Sequence, residues 1–99
     1  MKNFRAGNLE VMGEDFKEGF SEYFDDELPE LKFPSGWRIP TPNEIEYISS
    51  IESLSLGKFK QGSYWSFDYE KFKRWDFRAS KYLPPNGYGA RIRLVRHIK

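Results

Sequence analysis

One segment of this chain repeats its apolar residues at the spacing of a helix, and several others alternate them as a strand does. Ile45, Ile48, Ile51 and Leu54 recur every three residues and predict a helix over Pro42–Leu54. Carboxylates fall on another face of the same segment. The helix is therefore expected to be amphipathic and to cover part of a core.

A capping box marks the start of this helix. Thr41 is a good N-cap residue, Pro42 suits the first helical position, and Glu44 follows three residues after the cap. In such a box the cap hydroxyl accepts from the Glu44 N–H, and the Glu44 carboxylate accepts from the cap N–H. Trp37 is expected to pack beneath the helix, while Pro40 and Pro42 fix the angle at which the chain enters it.

A second, shorter helix is predicted over Ser21–Leu28. Its first residue can act as a cap, and acidic residues crowd its first turns, where the helix dipole favours them. Phe20, Phe24 and Leu28 recur at a spacing of four and would form its buried stripe. Pro29 is expected to end it.

Strand-like patterns occupy much of the remaining chain. Strands are predicted over Asn8–Met12, Tyr64–Phe67, Trp75–Ala79 and Ala90–Ile98. A charged tip over 68–74 separates the second from the third, and a turn over 84–87 precedes the last. The last strand alternates most clearly, with Ala90, Ile92 and Leu94 on one face and Arg91, Arg93 and Val95 on the other.

The order strand, helix, helix and then several strands is typical of the α+β class. We expect two helices packed on one side of a small antiparallel sheet, whose apolar face they cover. Tyr64 and Trp65 point to opposite faces of their strand, so we expect Trp65 inside and Tyr64 outside.

The composition allows one domain over residues 1–99 and excludes several kinds of site. Aromatic residues make up 18% of the chain, which indicates an aromatic-rich core. With no cysteine, the chain has no disulfide, no thiol nucleophile and no Cys-ligated zinc. His97 is the single histidine, and we expect it at the surface without a partner.

The net charge of +1 conceals two oppositely charged halves. Residues 1–56 contain 5 basic and 12 acidic residues, a net of −7, whereas residues 57–99 contain 11 basic and 3 acidic residues, a net of +8. The basic half is either a surface for an anionic partner or the complement of the acidic half. We favour internal pairing, in which Arg91, Arg93 and Arg96 contact the acidic half.

Three motifs follow one another along the chain: GWRIPTPNEI from Gly36, GSYWSFD from Gly62 and ARIRLVRHI from Ala90. They resemble GWRLPT, YWSS and VRxVR of a small bacterial domain family of unknown function. NLEVMGEDF and WDFRAS resemble two further strands of that family. The residues expected to have a structural role in these motifs are Trp37, Arg38, Pro40, Thr41, Glu44 and Trp65.

The resemblance implies a compact C-type-lectin-like fold, related to the formylglycine-generating-enzyme group, in which the first and last strands pair. The chain departs from the family pattern at Ile39, where the family has Leu, and at Phe67, where it has the second Ser of YWSS. Pro29 interrupts a region where the family has a longer helix. The formylglycine-generating enzymes need cysteines, which this chain lacks.

Basic and aromatic residues alternate over Lys58–Arg78, a composition that suits sugars or single-stranded nucleic acid. The alternation also arises in any strand that buries its aromatic residues and exposes its charges. The candidate ligand-binding residues are Tyr69, Lys71, Lys73, Arg74, Trp75, Arg78, Asn86 and Tyr88. Asp68, Glu70 and Asp76 are interleaved with cations, so neither a calcium site nor any other metal or cofactor is expected.

These observations favour a non-enzymatic binding module for a glycan or a protein surface. The alternative is a structural or assembly subunit of a phage particle or a cell-surface complex, and nucleic-acid binding through the basic half is a third hypothesis. The N-terminal residues as given are not expected to form a signal peptide, and no apolar run is long enough to span a membrane. A location in the cytoplasm or a phage particle is expected unless a signal has been removed.

Overall fold

One α-helix and six short strands form the regular structure of the described residues. The computed structural model describes residues 3–17, 22–52, 59, 62–69, 71–85 and 89–98. The strands are β1 (Phe4–Ala6), β2 (Leu9–Val11), β3 (Ser63–Asp68), β4 (Lys71–Asp76), β5 (Lys81–Leu83) and β6 (Val95–His97); the helix is α1 (Pro42–Glu52), and Leu28–Glu30 form a 3-10 helix. Two antiparallel sheets have the orders β1-β2-β6 and β3-β4-β5. The predicted α+β class is confirmed, and within these ranges no helix is long and apolar enough to cross a membrane.

The first sheet joins the two ends of the described chain. β1, which the sequence pattern did not predict, forms a hairpin with β2 through Gly7 and Asn8, and Gly7 has a φ of +60°. This positive φ suits glycine in a two-residue hairpin turn. β2 pairs with β6, with Glu10 opposite Arg96. The predicted pairing of the Asn8–Met12 segment with the last strand is therefore confirmed.

The second sheet differs from its prediction in where its middle strand lies. β3 agrees with the predicted strand, but β4 spans residues predicted to form a charged tip, and the predicted strand Trp75–Ala79 is wrong beyond Asp76. The Asp76 carboxylate accepts hydrogen bonds from the N–H groups of Arg78 and Ala79, at 2.8 and 3.1 Å. These bonds form a tight turn that ends the strand and leads into β5.

The predicted helix over Ser21–Leu28 is wrong for its described residues. Tyr23 instead exchanges two backbone hydrogen bonds with Ala90, at 2.9 and 3.0 Å, and its side chain is buried. The Glu27 carboxylate accepts from the Phe24 N–H, which holds a turn rather than a helix. The long-range pairing with Ala90 therefore overrides the local helix signal. Phe20 lies outside the described residues.

The predicted helix α1 is confirmed over Pro42–Glu52, and Leu54 lies outside the described residues. Its Ile45 and Ile48 are buried as expected. They pack in a first core cluster with Val11, Tyr64 and Val95, among others. A second cluster gathers Tyr23, Leu28, Ile39, Trp65, Ala90, Ile92 and Leu94.

Residues 90–95 run between these two clusters. The predicted strand Ala90–Ile98 is wrong in its length, because the regular strand covers only Val95–His97. The predicted alternation is kept, since Ala90, Ile92 and Leu94 belong to the second cluster and Val95 to the first. Backbone hydrogen bonds hold the segment to its neighbours, and one of them runs from the Phe16 N–H to the Ile92 carbonyl.

Two aromatic placements need correction. Trp65 is buried as expected, but Tyr64 is buried too, because it lies in the first core cluster with residues of α1 and of the first sheet. Trp37 does not lie beneath the helix; it packs at the margin of the second cluster, and the Arg96 guanidinium lies 4.5 Å from its ring centre.

Candidate functional site

Most of the arginines near the chain's end pair with acidic residues from its beginning. Arg93 and Asp15 are both almost fully buried and lie 2.7 Å apart, and Arg91 lies 3.7 Å from the same carboxylate. Arg96 binds Glu10 at 2.7 Å. The expected pairing of these arginines with the acidic half is confirmed, so they are engaged within the fold.

The capping box is formed as predicted and also holds Arg38. The Thr41 N–H donates to the Glu44 carboxylate at 2.9 Å, and the Glu44 N–H donates to the Thr41 hydroxyl at 3.3 Å. The Arg38 guanidinium binds both Glu44 oxygens, at 2.6 and 2.8 Å. Partial burial raises the pKa of Glu44, but the bonds from Arg38 and Thr41 outweigh it, so the net pKa is lowered.

His97 has a partner, contrary to expectation. Its Nε2 lies 3.0 Å from a terminal nitrogen of Arg38, and this contact is exposed to solvent. A depression of about 500 Å³ surrounds this pair, and we call it the arginine depression. It is lined by Glu10, Gly36, Arg38, Arg96, His97 and Ile98.

An apolar groove of about 400 Å³ opens beside the capping box. Its apolar walls are Leu28, Phe33, Ile39, Phe67 and Phe72, and its polar lining is Arg38 and Thr41. The rings of Phe67 and Phe72 lie opposite each other on β3 and β4, with centroids 4.6 Å apart. Phe67 is 37% exposed, so an aromatic wall of the groove faces solvent.

The position of Arg38 in the chain explains how the groove forms. Arg38 exchanges backbone hydrogen bonds with Val95, and the Pro40 carbonyl accepts from the Phe67 N–H. These bonds tie the segment before α1 to both sheets. The groove therefore lies where the 3-10 helix, this segment and the β3–β4 hairpin meet.

The predicted ligand-binding residues do not form one site. Tyr69 is 89% exposed at the β3–β4 turn, and Arg78 is exposed in the turn after β4. Arg74 is buried, and its guanidinium donates to the Pro84 carbonyl. Trp75 is buried in the first cluster. Asn86 and Tyr88 lie outside the described residues.

Two of the candidates, Lys71 and Lys73, do lie together. They line a third depression, of about 460 Å³, which we call the lysine depression. Asp25, Pro29, Phe72 and Pro85 line it as well. Phe72 belongs to both this depression and the apolar groove, so the two are adjacent along β4.

Sequence reasoning missed the groove because its walls come from separated segments. The one available signal was Phe67, the position at which the chain departs from a YWSS-like motif. An aromatic residue there places a ring near the end of a strand, next to a polar turn. For the part of the chain that the structure describes, no group of three or more acidic or His side chains could hold a metal ion.

Comparison with known proteins adds no assignment: no family model matches the chain, and neither a curated protein nor a solved structure is significantly similar to it.

Proposed function

We propose that this chain is a non-enzymatic binding module that holds an apolar side chain of a partner protein in the apolar groove. The observation that supports this most strongly is the groove itself. Its volume lies in the range of ligand sites, and its lining is mainly apolar with a few polar groups. Phe67 keeps a large ring in contact with water there, at a cost that a partner would remove.

The chemistry of the lining favours a protein partner over a glycan. Sugars need several hydrogen-bonding groups beside an aromatic face, and the described lining offers polar groups only from Arg38 and Thr41. The guanidinium of Arg38 is already bound by Glu44. An aliphatic or aromatic side chain fits the remaining surface better.

The same lining supports a role without catalysis. Among the described residues that line the groove, Arg38 alone is titratable, and its bidentate pair with Glu44 favours the charged form of both groups. A group held in this way suits positioning rather than proton transfer.

We also propose a C-type-lectin-like architecture. The pairing of β2 with β6 supports it, since this brings the beginning and the end of the chain together as such folds do. The resemblance of the three sequence motifs is its second support.

Selection of a displayed random-peptide library on the purified protein, followed by fluorescence-polarisation titration of the enriched peptides, tests the groove. Phe67→Ala removes one wall. Burial of a side chain of this size contributes about 1.5–3 kcal/mol, so we expect binding to weaken by about 1–2 kcal/mol, roughly five- to thirty-fold. The matched control is Phe24→Ala, because Phe24 is 49% exposed and lies outside the groove.

If the peptides bind Phe67→Ala and Phe24→Ala with the same affinity as the unsubstituted protein, the groove is refuted as the site. A glycan array measured in parallel would identify a sugar ligand if peptides fail. Self-association in sedimentation experiments that Phe67→Ala abolishes would indicate the assembly alternative instead.

A further inference from the structure

On the side that faces β5, the strand β4 is paired along only part of its length, and its unpaired part lies beside the groove. Trp65 and Phe67 direct their N–H groups away from β4, to the Arg91 and Pro40 carbonyls, each at 2.9 Å. Because the backbone N–H and C=O groups alternate in direction along a strand, those of Tyr64, Ser66 and Asp68 point towards β4. Their register partners on β4 are Trp75, Lys73 and Lys71.

The backbone groups of the other β4 residues, Phe72, Arg74 and Asp76, must then point to the opposite side, where β5 lies. β5 pairs with β4 from Arg74 to Asp76, with Arg74 opposite Leu83. Continuing this register would place Pro85 opposite Phe72. Proline has no N–H and cannot donate to the Phe72 carbonyl, so the ladder ends there.

Phe72 is thus left with an outward-facing backbone N–H and C=O. Among the hydrogen bonds of the described residues, none involves either group on this side. Pro85 and Phe72 both line the lysine depression. Within the part of the chain that the structure describes, Phe72 therefore presents a short unpaired strand edge, and its ring is a wall of the apolar groove.

The charges beside this edge favour an anionic strand. Lys71 and Lys73 are exposed, and within the described chain neither takes part in an ion pair, whereas Arg38, Arg93 and Arg96 do. The Lys73 ammonium lies 5.4 Å from the centre of the Tyr82 ring.

Two carboxylates offset part of this positive charge. Asp25 lines the lysine depression with the two lysines, and Asp68 lies opposite Lys71 in the strand register. Lysines on an open edge repel a second copy of the same edge, and they attract an acidic segment.

We propose that the partner is an extended, acidic peptide segment that adds to β4 at Phe72. Its backbone accepts from the Phe72 N–H and donates to the Phe72 carbonyl. One of its apolar side chains enters the groove, and its carboxylates approach Lys71 and Lys73. This mode of recognition takes affinity from main-chain hydrogen bonds and specificity from a side-chain pocket. The inference rests on the proposed function, because it specifies how the groove's ligand arrives.

Amide hydrogen exchange, followed by NMR, tests the strand addition directly. The probes are synthetic peptides with a central Phe flanked by Glu residues on both sides, and the same peptides with Lys flanks. In the protein alone we expect fast exchange at Phe72 and slow exchange at Trp65, whose N–H is bonded to Arg91. The Glu-flanked peptide should slow exchange at Phe72 by about tenfold or more at saturation.

A charge-reversed variant tests the role of the lysines. Lys71→Glu together with Lys73→Glu should weaken binding of the Glu-flanked peptide by roughly tenfold or more and reverse the preference between the two peptides. The control is Lys81→Glu, an exposed lysine at the far end of β5, which should leave the preference unchanged.

The outcomes separate this inference from the proposed function. A peptide that binds in a manner sensitive to Phe67→Ala, yet leaves Phe72 exchange fast, overturns the strand addition and leaves the groove as the site. Binding without preference between Glu and Lys flanks overturns the acidic partner. If no peptide shows sensitivity to Phe67→Ala, the proposed function itself fails. Oligothymidine that binds through the lysines where Glu-flanked peptides do not would assign the edge to nucleic acid.

Discussion

Replacement of Asp15 by Ala should strongly destabilise this protein, because it removes the carboxylate that neutralises a buried arginine. The Asp15 carboxylate accepts from Arg93 Nε and from its terminal nitrogen, at 3.0 and 2.7 Å. It also accepts from the Tyr64 hydroxyl at 2.8 Å. The side chains of Asp15 and Arg93 are 4% and 3% exposed, so solvent replaces neither partner when the other is removed.

The magnitude follows from these exposures. Breaking a buried ion pair by removing one partner costs about 3–5 kcal/mol, because a charge stays buried without its counter-ion. Arg91 is 3.7 Å from the carboxylate and 22% exposed, so its ion pair with Asp15 should contribute little to the loss of stability. A protein of this size is stable by about 5–15 kcal/mol, and the Asp15→Ala variant should lose a large part of that.

Urea unfolding, followed by the fluorescence of the buried Trp65 and Trp75, measures the loss. A slope of about 1–3 kcal/mol per molar urea converts 3–5 kcal/mol into a midpoint shift of about one molar or more. Asp26→Ala is the control, because Asp26 is exposed and its substitution should change stability by less than about 0.5 kcal/mol.

The double variant Asp15→Ala with Arg93→Met tests the reason for the loss. Since the buried charge disappears with Arg93, the double variant should be more stable than the sum of the single changes predicts, by about 1–3 kcal/mol. Additive losses, or a loss below about 1 kcal/mol for Asp15→Ala alone, would refute the argument that an uncompensated charge dominates.

Two further substitutions test the helix start and the first hairpin. Glu44→Gln should lower the free energy of unfolding by about 1–2 kcal/mol at neutral pH, because it weakens the cap and removes the ion pair with Arg38. Since folding lowers the pKa of Glu44 below its usual value near 4.5, the stability that it provides is full above that value and is lost as the pH falls through the folded pKa. Urea midpoints should therefore fall less between neutral and acidic pH in the variant, and equal falls would contradict this. Gly7→Ala should cost about 1–2 kcal/mol, because φ is +60° and the new Cβ lies 3.3 Å from the Tyr47 ring. At Gly36, where φ is +86°, an added Cβ meets nothing within 4 Å, so Gly36→Ala should show the backbone strain alone. A larger fall in melting temperature for Gly36→Ala than for Gly7→Ala would refute the role of the Tyr47 contact.

Local signals predicted the parts of the fold that depend on neighbours in sequence. The capping box at Thr41 and Glu44 and the apolar spacing of Ile45 and Ile48 act within a few residues, so α1 could be predicted from them alone. The alternation after Ala90 is equally local. It holds because both sides of that segment meet apolar clusters.

The wrongly predicted segments depend on contacts between distant residues. Residues 22–28 have the composition of a helix start, yet Tyr23 pairs with Ala90 and is held in extended backbone. Lys71 and Lys73 lie in a charged segment that was predicted to be the exposed tip between two strands. They belong instead to β4, because this segment pairs with β3. Composition does not show which strand a polar segment will pair with.

The candidate site was the least predictable feature of all. Phe67 and Phe72 are separated by the β3–β4 turn, and Leu28 is far from both in sequence, so their convergence depends on the complete fold. Lys71 and Lys73 share one depression, whereas Arg74 and Trp75, predicted for the same surface, are buried. Alternating strand positions explain the difference only once the register is known.

The central position of residues 90–95 has a consequence for biosynthesis. Arg93 binds a carboxylate 78 positions earlier, and Arg96 binds one 86 positions earlier. Such separations slow folding, since long loops must close before the contacts form. On the ribosome, neither core cluster can be completed until residues 90–95 have emerged. A chain truncated before residue 90 would leave both clusters incomplete, and we expect its exposed apolar residues to favour proteolysis and aggregation.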